Sequence, residues 1–195
     1  MAQRMFRSLA TLGSVLLLQA CCSLLPPPPA TSVGLTLHPQ ETNNWCWAAT
    51  TQMITTHLGH GVTQCDLANQ RFGRNDCCTA GCPKNAACNM PGWTMFTESG
   101  FTTRVSSTPL PWNRVTRELA CAKRPMSYAY GPQSGGVGHV VVVSGYLDLG
   151  TTRYLAISDP WAPCRGTFRF LSFDEYSNSG TTNHWETNYE IRFGP

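Results

Sequence analysis

Apolar residues along this chain recur first at the three- and four-residue spacing of helices and later in short runs suited to strands. After the polar stretch Gln40-Glu41-Thr42-Asn43-Asn44, the positions of Ala48, Ala49, Met53, Ile54 and Leu58 predict a helix that opens at Cys46 and ends at Gly59. Residues 93–98 predict a short helix stopped by Gly100. Pro111 at a first turn, followed by Trp112, Val115, Leu119 and Ala122, predicts an amphipathic helix ending near Arg124-Pro125. From residue 126 the pattern changes. Residues 126–130, 140–147, 153–158, 167–173 and 189–193 are runs rich in Val, Tyr, Phe and Ile between Gly, Pro, Asp and Asn turns, and read as strands. Helices first and antiparallel strands after make an α+β domain, with no repeat or second-domain boundary.

The first 20 residues do not belong to that pattern. They combine Arg4 and Arg7, an apolar run over 9–18 and no acidic residue, which predicts a signal peptide too short to span a bilayer. Leu18-Gln19-Ala20-Cys21 resembles a bacterial lipobox, so Cys21 is expected to carry lipid and to tether the protein to a membrane of the bacterial cell envelope; free secretion is the alternative. Residues 21–37 include four consecutive prolines and read as a stiff polyproline II spacer, leaving 38–195 as the folded domain. Without residues 1–20 the charge is 12 basic against 11 acidic residues, which gives no reason to expect a nucleic-acid partner.

Ten cysteines in an exported chain predict disulfides. Five of them, Cys65, Cys77, Cys78, Cys82 and Cys88, crowd a stretch rich in Gly, Asn, Pro and Asp that buries little. Bridges are expected to hold it in place of a core. Zinc on Cys77, Cys78, Cys82 and Cys88 is the rival, disfavoured because no C-x-x-C knuckle pair is present; no metal or cofactor is expected.

Cys46 is the candidate for chemistry. A helix N-terminus presents unpaired N–H groups and the positive dipole end, which favour the thiolate, the nucleophilic form. Gln40, six residues upstream, offers an amide that could hold an oxyanion together with the Cys46 N–H. Gln-x5-Cys-Trp, with the cysteine opening a helix, resembles the papain-like cysteine peptidases. Trp45-Cys46-Trp47-Ala48-Ala49 is similar to their compact bacterial branch, although Asn43-Asn44-Trp45 stands where the plant and lysosomal enzymes have Cys-Gly-Ser.

A thiolate of this kind needs a base. His57 lies eleven residues along the helix from Cys46, about 16 Å away, and His60 lies further still. His38 is beside Gln40, and His184 reads as part of a polar loop. His139 remains, at the head of an apolar strand behind Gly135-Gly136-Val137-Gly138, where small residues leave room for a substrate backbone. Folding the following hairpin about Leu149 sets Asp159 directly opposite His139, within hydrogen-bonding reach. The order Cys, His, Asp matches the resembled family, and Asp159-Pro160-Trp161 resembles its Asn-Ser-Trp, whose indole shields the third residue.

The resemblance implies an exported thiol peptidase with a papain-like fold: a helical half carrying Cys46 and a β half carrying His139 and Asp159, with Gln40 at the oxyanion hole. The gap of 93 residues from Cys46 to His139 is shorter than in papain and cathepsins, so the fold is expected to be trimmed. Eighteen residues between Cys21 and Gln40 are too few for the family's pro-domain, so latency is expected from elsewhere, such as a separate inhibitor protein. Peptides or proteins are the expected substrates. The same residues would also serve an amidase, deamidase or acyl transferase, and a disulfide-rich binding lipoprotein is the reading outside enzymes.

Overall fold

The computed structural model describes residues 25–78, 81–82, 86–178 and 182–194. The predicted signal peptide and Cys21 lie outside them. In chain order the elements are β1 (Ala30–Ser32), α1 (Cys46–His57), α2 (Gln64–Phe72), a 3₁₀ turn (Ala86–Cys88), β2 (Phe101–Ser106), α3 (Trp112–Thr116, continued by a π-turn Arg117–Cys121), β3 (Met126–Pro132), β4 (His139–Asp148), β5 (Arg153–Asp159), β6 (Thr167–Ser172), α4 (Phe173–Asn178) and β7 (Thr182–Phe193). The strands form one antiparallel sheet in the order β2-β7-β3-β4-β5-β6, with β1 added beside β4.

Helix α1 is central. Trp47, Ala48, Ala49, Met53 and Ile54 are buried, and so are Thr50, Thr51 and Thr55. Buried hydroxyls need partners, and these have them: Thr51 and Thr55 donate back to the carbonyls of Trp47 and Thr51, while Thr50 donates to Val140 O on the sheet. The run Val140-Val141-Val142-Val143 is apolar without alternation because both faces of β4 are covered. Val140 and Val142 pack toward α1, and Val141 and Val143 join Tyr128, Leu155, Ile157, Leu119 and Tyr176 on the other side.

Several expectations are revised. Residues 93–98 form no helix; the chain makes a turn over 96–100, with Met95 and Phe96 buried beneath it. The cysteine-rich stretch is not all loop, because α2 begins there. Thr63 Oγ1 caps it by accepting from Asp66 N, and Gly73 ends it in the left-handed region at φ 60°. Strands β1 and β2 had no prediction, and β7 extends seven residues further toward the N-terminus than the expected 189–193. The segment expected to be a stiff spacer is docked on the domain from Pro28 onward: Tyr146 Oη donates to Pro28 O at 2.8 Å, Asp148 N to Pro29 O at 2.6 Å, and Ala30 pairs with Leu147. There β1 occupies the side of β4 that β3, pairing only as far as Val143, leaves open. The folded domain therefore begins well before residue 38.

Disulfides join Cys65 to Cys78, Cys77 to Cys88 and Cys82 to Cys164, and Cys121 is disulfide-bonded as well. The four sulfurs weighed for zinc are all in bridges. The third bridge crosses 82 residues and ties the loop to the segment after β5. Among the described residues no helix is long and apolar enough to cross a membrane.

Candidate active site

Cys46 is the first residue of α1, partly exposed and free among otherwise bridged cysteines of the described chain. No side chain caps this helix, so its first N–H groups remain directed at the space before it. The approach to Cys46 is clamped from one side. Trp45 Nε1 donates to Cys88 O at 2.7 Å, Trp47 Nε1 to Met90 O at 3.1 Å, and Asn44 N to Asn89 Oδ1 at 2.8 Å. Residues 88–90 thus hold the turn that aims the cysteine, and the Cys77–Cys88 bridge is buried against the same two tryptophans.

His139 opens β4. Its Nε2–H donates to Asp159 Oδ1 at 2.6 Å, leaving Nδ1 for the Cys46 sulfur, whose nearness helps to raise the pKa of the ring. The predicted register is not the observed one. Val142 pairs with Ser158, so Asp159 lies across from Val141, and His139 reaches it diagonally on the same face. An extra residue, Ser144, sits between the pairs Val143/Ile157 and Gly145/Ala156. Side chains alternate with period two; without that bulge Asp159 would stand across from Val142, on the face away from His139.

Asp159 ends β5 and is almost buried. Besides His139 it accepts from Trp161 N at 3.0 Å and from Arg169 Nε at 3.2 Å, and Arg169 also donates to Tyr130 Oη at 3.1 Å. Burial favours neutral forms, but here it is outweighed. For His139, burial pulls the pKa down while hydrogen bonds and charge from Asp159 and Cys46 push it up to about 9. For Asp159, burial raises the pKa, yet the bonds from His139, Trp161 and Arg169 hold it below the usual 3.8.

Gln40 is fully buried. Its Nε2 donates to Thr42 O at 2.8 Å and to Asn43 O at 2.7 Å, so both amide hydrogens are committed to the turn before Cys46, while Oε1 is buried without a partner among the described residues. Its main chain ties the two halves together, bonding to Pro160 O and accepting from Cys164 N. The structure brings Cys46, His139 and Asp159 to one cleft, with His139 and Asp159 hydrogen-bonded, and leaves Gln40 with its donors engaged in the turn before Cys46.

The remaining histidines lie elsewhere. His57 bonds to Lys123 O, His60 stacks on Phe193, and His184 is in β7, opposite Tyr130 and stacked on Tyr128. The cleft that Cys46 and His139 open into has a volume of about 1120 Å³. Trp93 and Trp161 line it, and Trp161 is 49% exposed there. Trp185 lies across Gly131 and Gly138, where a Cβ would fall 2.0 and 1.9 Å from its ring, which explains the glycine just before His139. Sequence reasoning missed Arg71, Trp93, Arg169 and Trp185. For Arg169 the strand pattern misleads: Phe168 and Phe170 are each 63% exposed and the arginine between them turns toward Asp159.

Comparison with known proteins gives a consistent picture. The family described as "Peptidase_C39 like family" matches residues 34–189. A mite-allergen structure concerned with antibody cross reactivity between Blo t 1 and Der p 1 is 13% identical, with a TM-score of 0.56 over 85% of this chain and 71% of that one. Digestive procathepsin L 3 of Tenebrio molitor larval midgut is 12% identical, with a TM-score of 0.51 over 85% and 70%. At such identities the likeness establishes the papain-like α+β fold. No curated protein sequence matches the chain.

Proposed function

The chain belongs to the Peptidase_C39 like family of papain-like cysteine peptidases, and on that footing we propose that it hydrolyses peptide bonds with Cys46 as nucleophile, His139 as acid and base, and Asp159 as the group orienting His139. The observation that carries this reading is the hydrogen-bonded pair His139 and Asp159 lining one open cleft with Cys46, which is left out of the bridges. The Cys46 sulfur attacks the carbonyl carbon while its proton rests on His139. That proton then passes to the leaving amine, and water, deprotonated by His139, hydrolyses the acyl-enzyme. The oxyanion is held by the uncapped N-terminal N–H groups of α1, Cys46 N among them. Gln40 supports them by fixing the turn, and as a direct donor it must release Thr42 O or Asn43 O.

The protein acts after export, held to an envelope membrane by lipid on Cys21, and its substrates are peptides or proteins there. Latency by a separate inhibitor fits the same reading. The test is a random peptide library incubated with the exported domain and with Cys46→Ala. Cleavage that vanishes in the variant supports hydrolysis. Iodoacetamide alkylation of Cys46 at pH 5 to 6 no faster than a free cysteine, with no bond cut, would overturn it in favour of a binding module.

A further inference from the structure

We propose that Arg71 forms an anionic subsite of the cleft and makes the protein select substrates with an acidic side chain close to the bond attacked; this rests on the peptidase reading above. The charged residues lining the cleft fall unevenly. Asp159, Arg169 and Glu175 all belong to the β half, and Arg169 is engaged by Asp159. Arg71 belongs to the helical half, in the last turn of α2, and no ion pair involves it among the described residues. It is exposed but seated. Its guanidinium carbon lies 5.1 Å over the Trp47 ring and 5.9 Å from Phe72, and it passes 2.7 Å from where a Cβ on Gly92 would be.

These contacts define what the arginine can do. Held over Trp47 and without an ion-pair partner among the described residues, its guanidinium stays accessible in the cleft, which leaves its N–H fork available for a carboxylate. Gly92 has no side chain to block it, and neighbouring Pro91 and Trp93 line the same wall. Trp47 follows Cys46 directly, so an extended substrate rising about 3.3 Å per residue brings an acidic side chain to Arg71 within roughly three residues of the scissile bond. A cation at a helix C-terminus also favours the helix itself. That role concerns stability and predicts no substrate preference.

Quenched peptides fixed with Glu, Gln or Lys at each of the three positions on either side of the cleaved bond test the subsite. One position should favour Glu over Gln by roughly tenfold and disfavour Lys, as one charge-assisted pair implies. Arg71→Gln should abolish that preference while neutral peptides are still cut, and Arg71→Glu should shift it to Lys. A Glu/Gln ratio near one in the natural protein, or a ratio unchanged in Arg71→Gln, would overturn the proposal. Binding of the same peptides to Cys46→Ala, followed by tryptophan emission, reads the preference even if no peptide is hydrolysed. Selective binding of Glu peptides, lost on adding Arg71→Gln, supports the subsite, and equal binding refutes it. Failure of the peptidase reading is thereby separated from failure of the subsite.

Discussion

His139 and Asp159 are joined by a 2.6 Å hydrogen bond although they are not opposed in the β4–β5 ladder; Asp159 stands across from Val141, two places further along the face. The bulge at Ser144 puts the two on one face. It is held by its own bonds, Ser144 Oγ to Ala156 O at 3.3 Å and to Ser158 Oγ at 2.9 Å. A single inserted residue thus sets whether the imidazole meets its carboxylate, while Val140 to Val143 leave the two faces of β4 chemically alike.

The first prediction follows from that bond. With His139 pushed up to about 9, activity should fall on the alkaline side near pH 9 as the imidazolium loses its proton. Asp159→Asn keeps an acceptor but removes the charge, so the alkaline limb should move to lower pH, toward 6.5. His139→Ala should cost about 10² to 10⁴ in turnover, whereas His57→Ala, His60→Ala and His184→Ala keep the profile. The measurement is kcat/KM against pH for each variant, and an unmoved limb in Asp159→Asn would break the assignment.

Much of this was legible beforehand, for identifiable reasons. The helix at Cys46 and the strands after residue 126 show in the pattern because their burial is local and periodic. The class of fold follows from that pattern; Cys46, His139 and Asp159 were instead singled out by the motifs around them and their resemblance to papain-like peptidases, Asp159 on a register that the strands do not have. What escaped depends on tertiary partners. β1 exists because the pairing of β3 with β4 stops at Val143 and leaves backbone groups of β4 beyond it open, which nothing in Ala30-Thr31-Ser32 announces. Arg169 faces inward only because Asp159 is there to receive it. The diagonal between His139 and Asp159 depends on a bulge that no turn residue marks. One signal was present and unread: Thr63 three residues before Asp66 marks the start of α2.

Gln40 gives a second prediction. Removing its amide leaves Thr42 O with only its bond from Trp45 N and takes the Gln40 donor from Asn43 O, so Gln40→Ala should lower the melting temperature by loosening the turn before Cys46. If Gln40 also serves the oxyanion, kcat should fall by about 10² to 10³ beyond that, while iodoacetamide labelling of Cys46 stays normal. Labelling and turnover falling together would confine Gln40 to holding the turn.

Stability should follow the two shifted groups of the site. His139 is raised above its ordinary 6.5, so its contribution is complete below about pH 6.5 and is lost as pH rises through about 9. Asp159 is lowered below 3.8, so its contribution is present above that value and disappears as pH falls through its folded value. Melting temperature against pH should thus be highest between about 4 and 6.5, and the decline toward pH 9 should be shallower in His139→Ala. An identical decline in that variant would assign it to other groups.

The last prediction concerns sulfur in two oxidation states at one site. On the proposed mechanism Cys46 acts as a reduced thiol, and an accessible nucleophilic thiol is open to oxidation or capture as a mixed disulfide. Cys77 and Cys88 must be oxidised, because their bridge is packed against Trp45 and Trp47, whose indoles donate to Cys88 O and Met90 O on either side of Asn89. Opening that bridge frees residues 88–90 to move, and the turn before Cys46 loses the bonds to Asn44, Trp45 and Trp47 together. A bridge contributes about 2–4 kcal/mol, enough to shift this local equilibrium by more than tenfold. Mild reductant should therefore activate the protein by freeing Cys46, and stronger reductant should inactivate it. Cys77→Ala/Cys88→Ala should reproduce the second phase without reductant, with a larger fall in kcat than in melting temperature would suggest. The measurement is activity across a dithiothreitol titration, with free thiols counted by mass at each step. Full activity with every cysteine reduced would show that the bonds from 88–90 hold the nucleophile without the bridge.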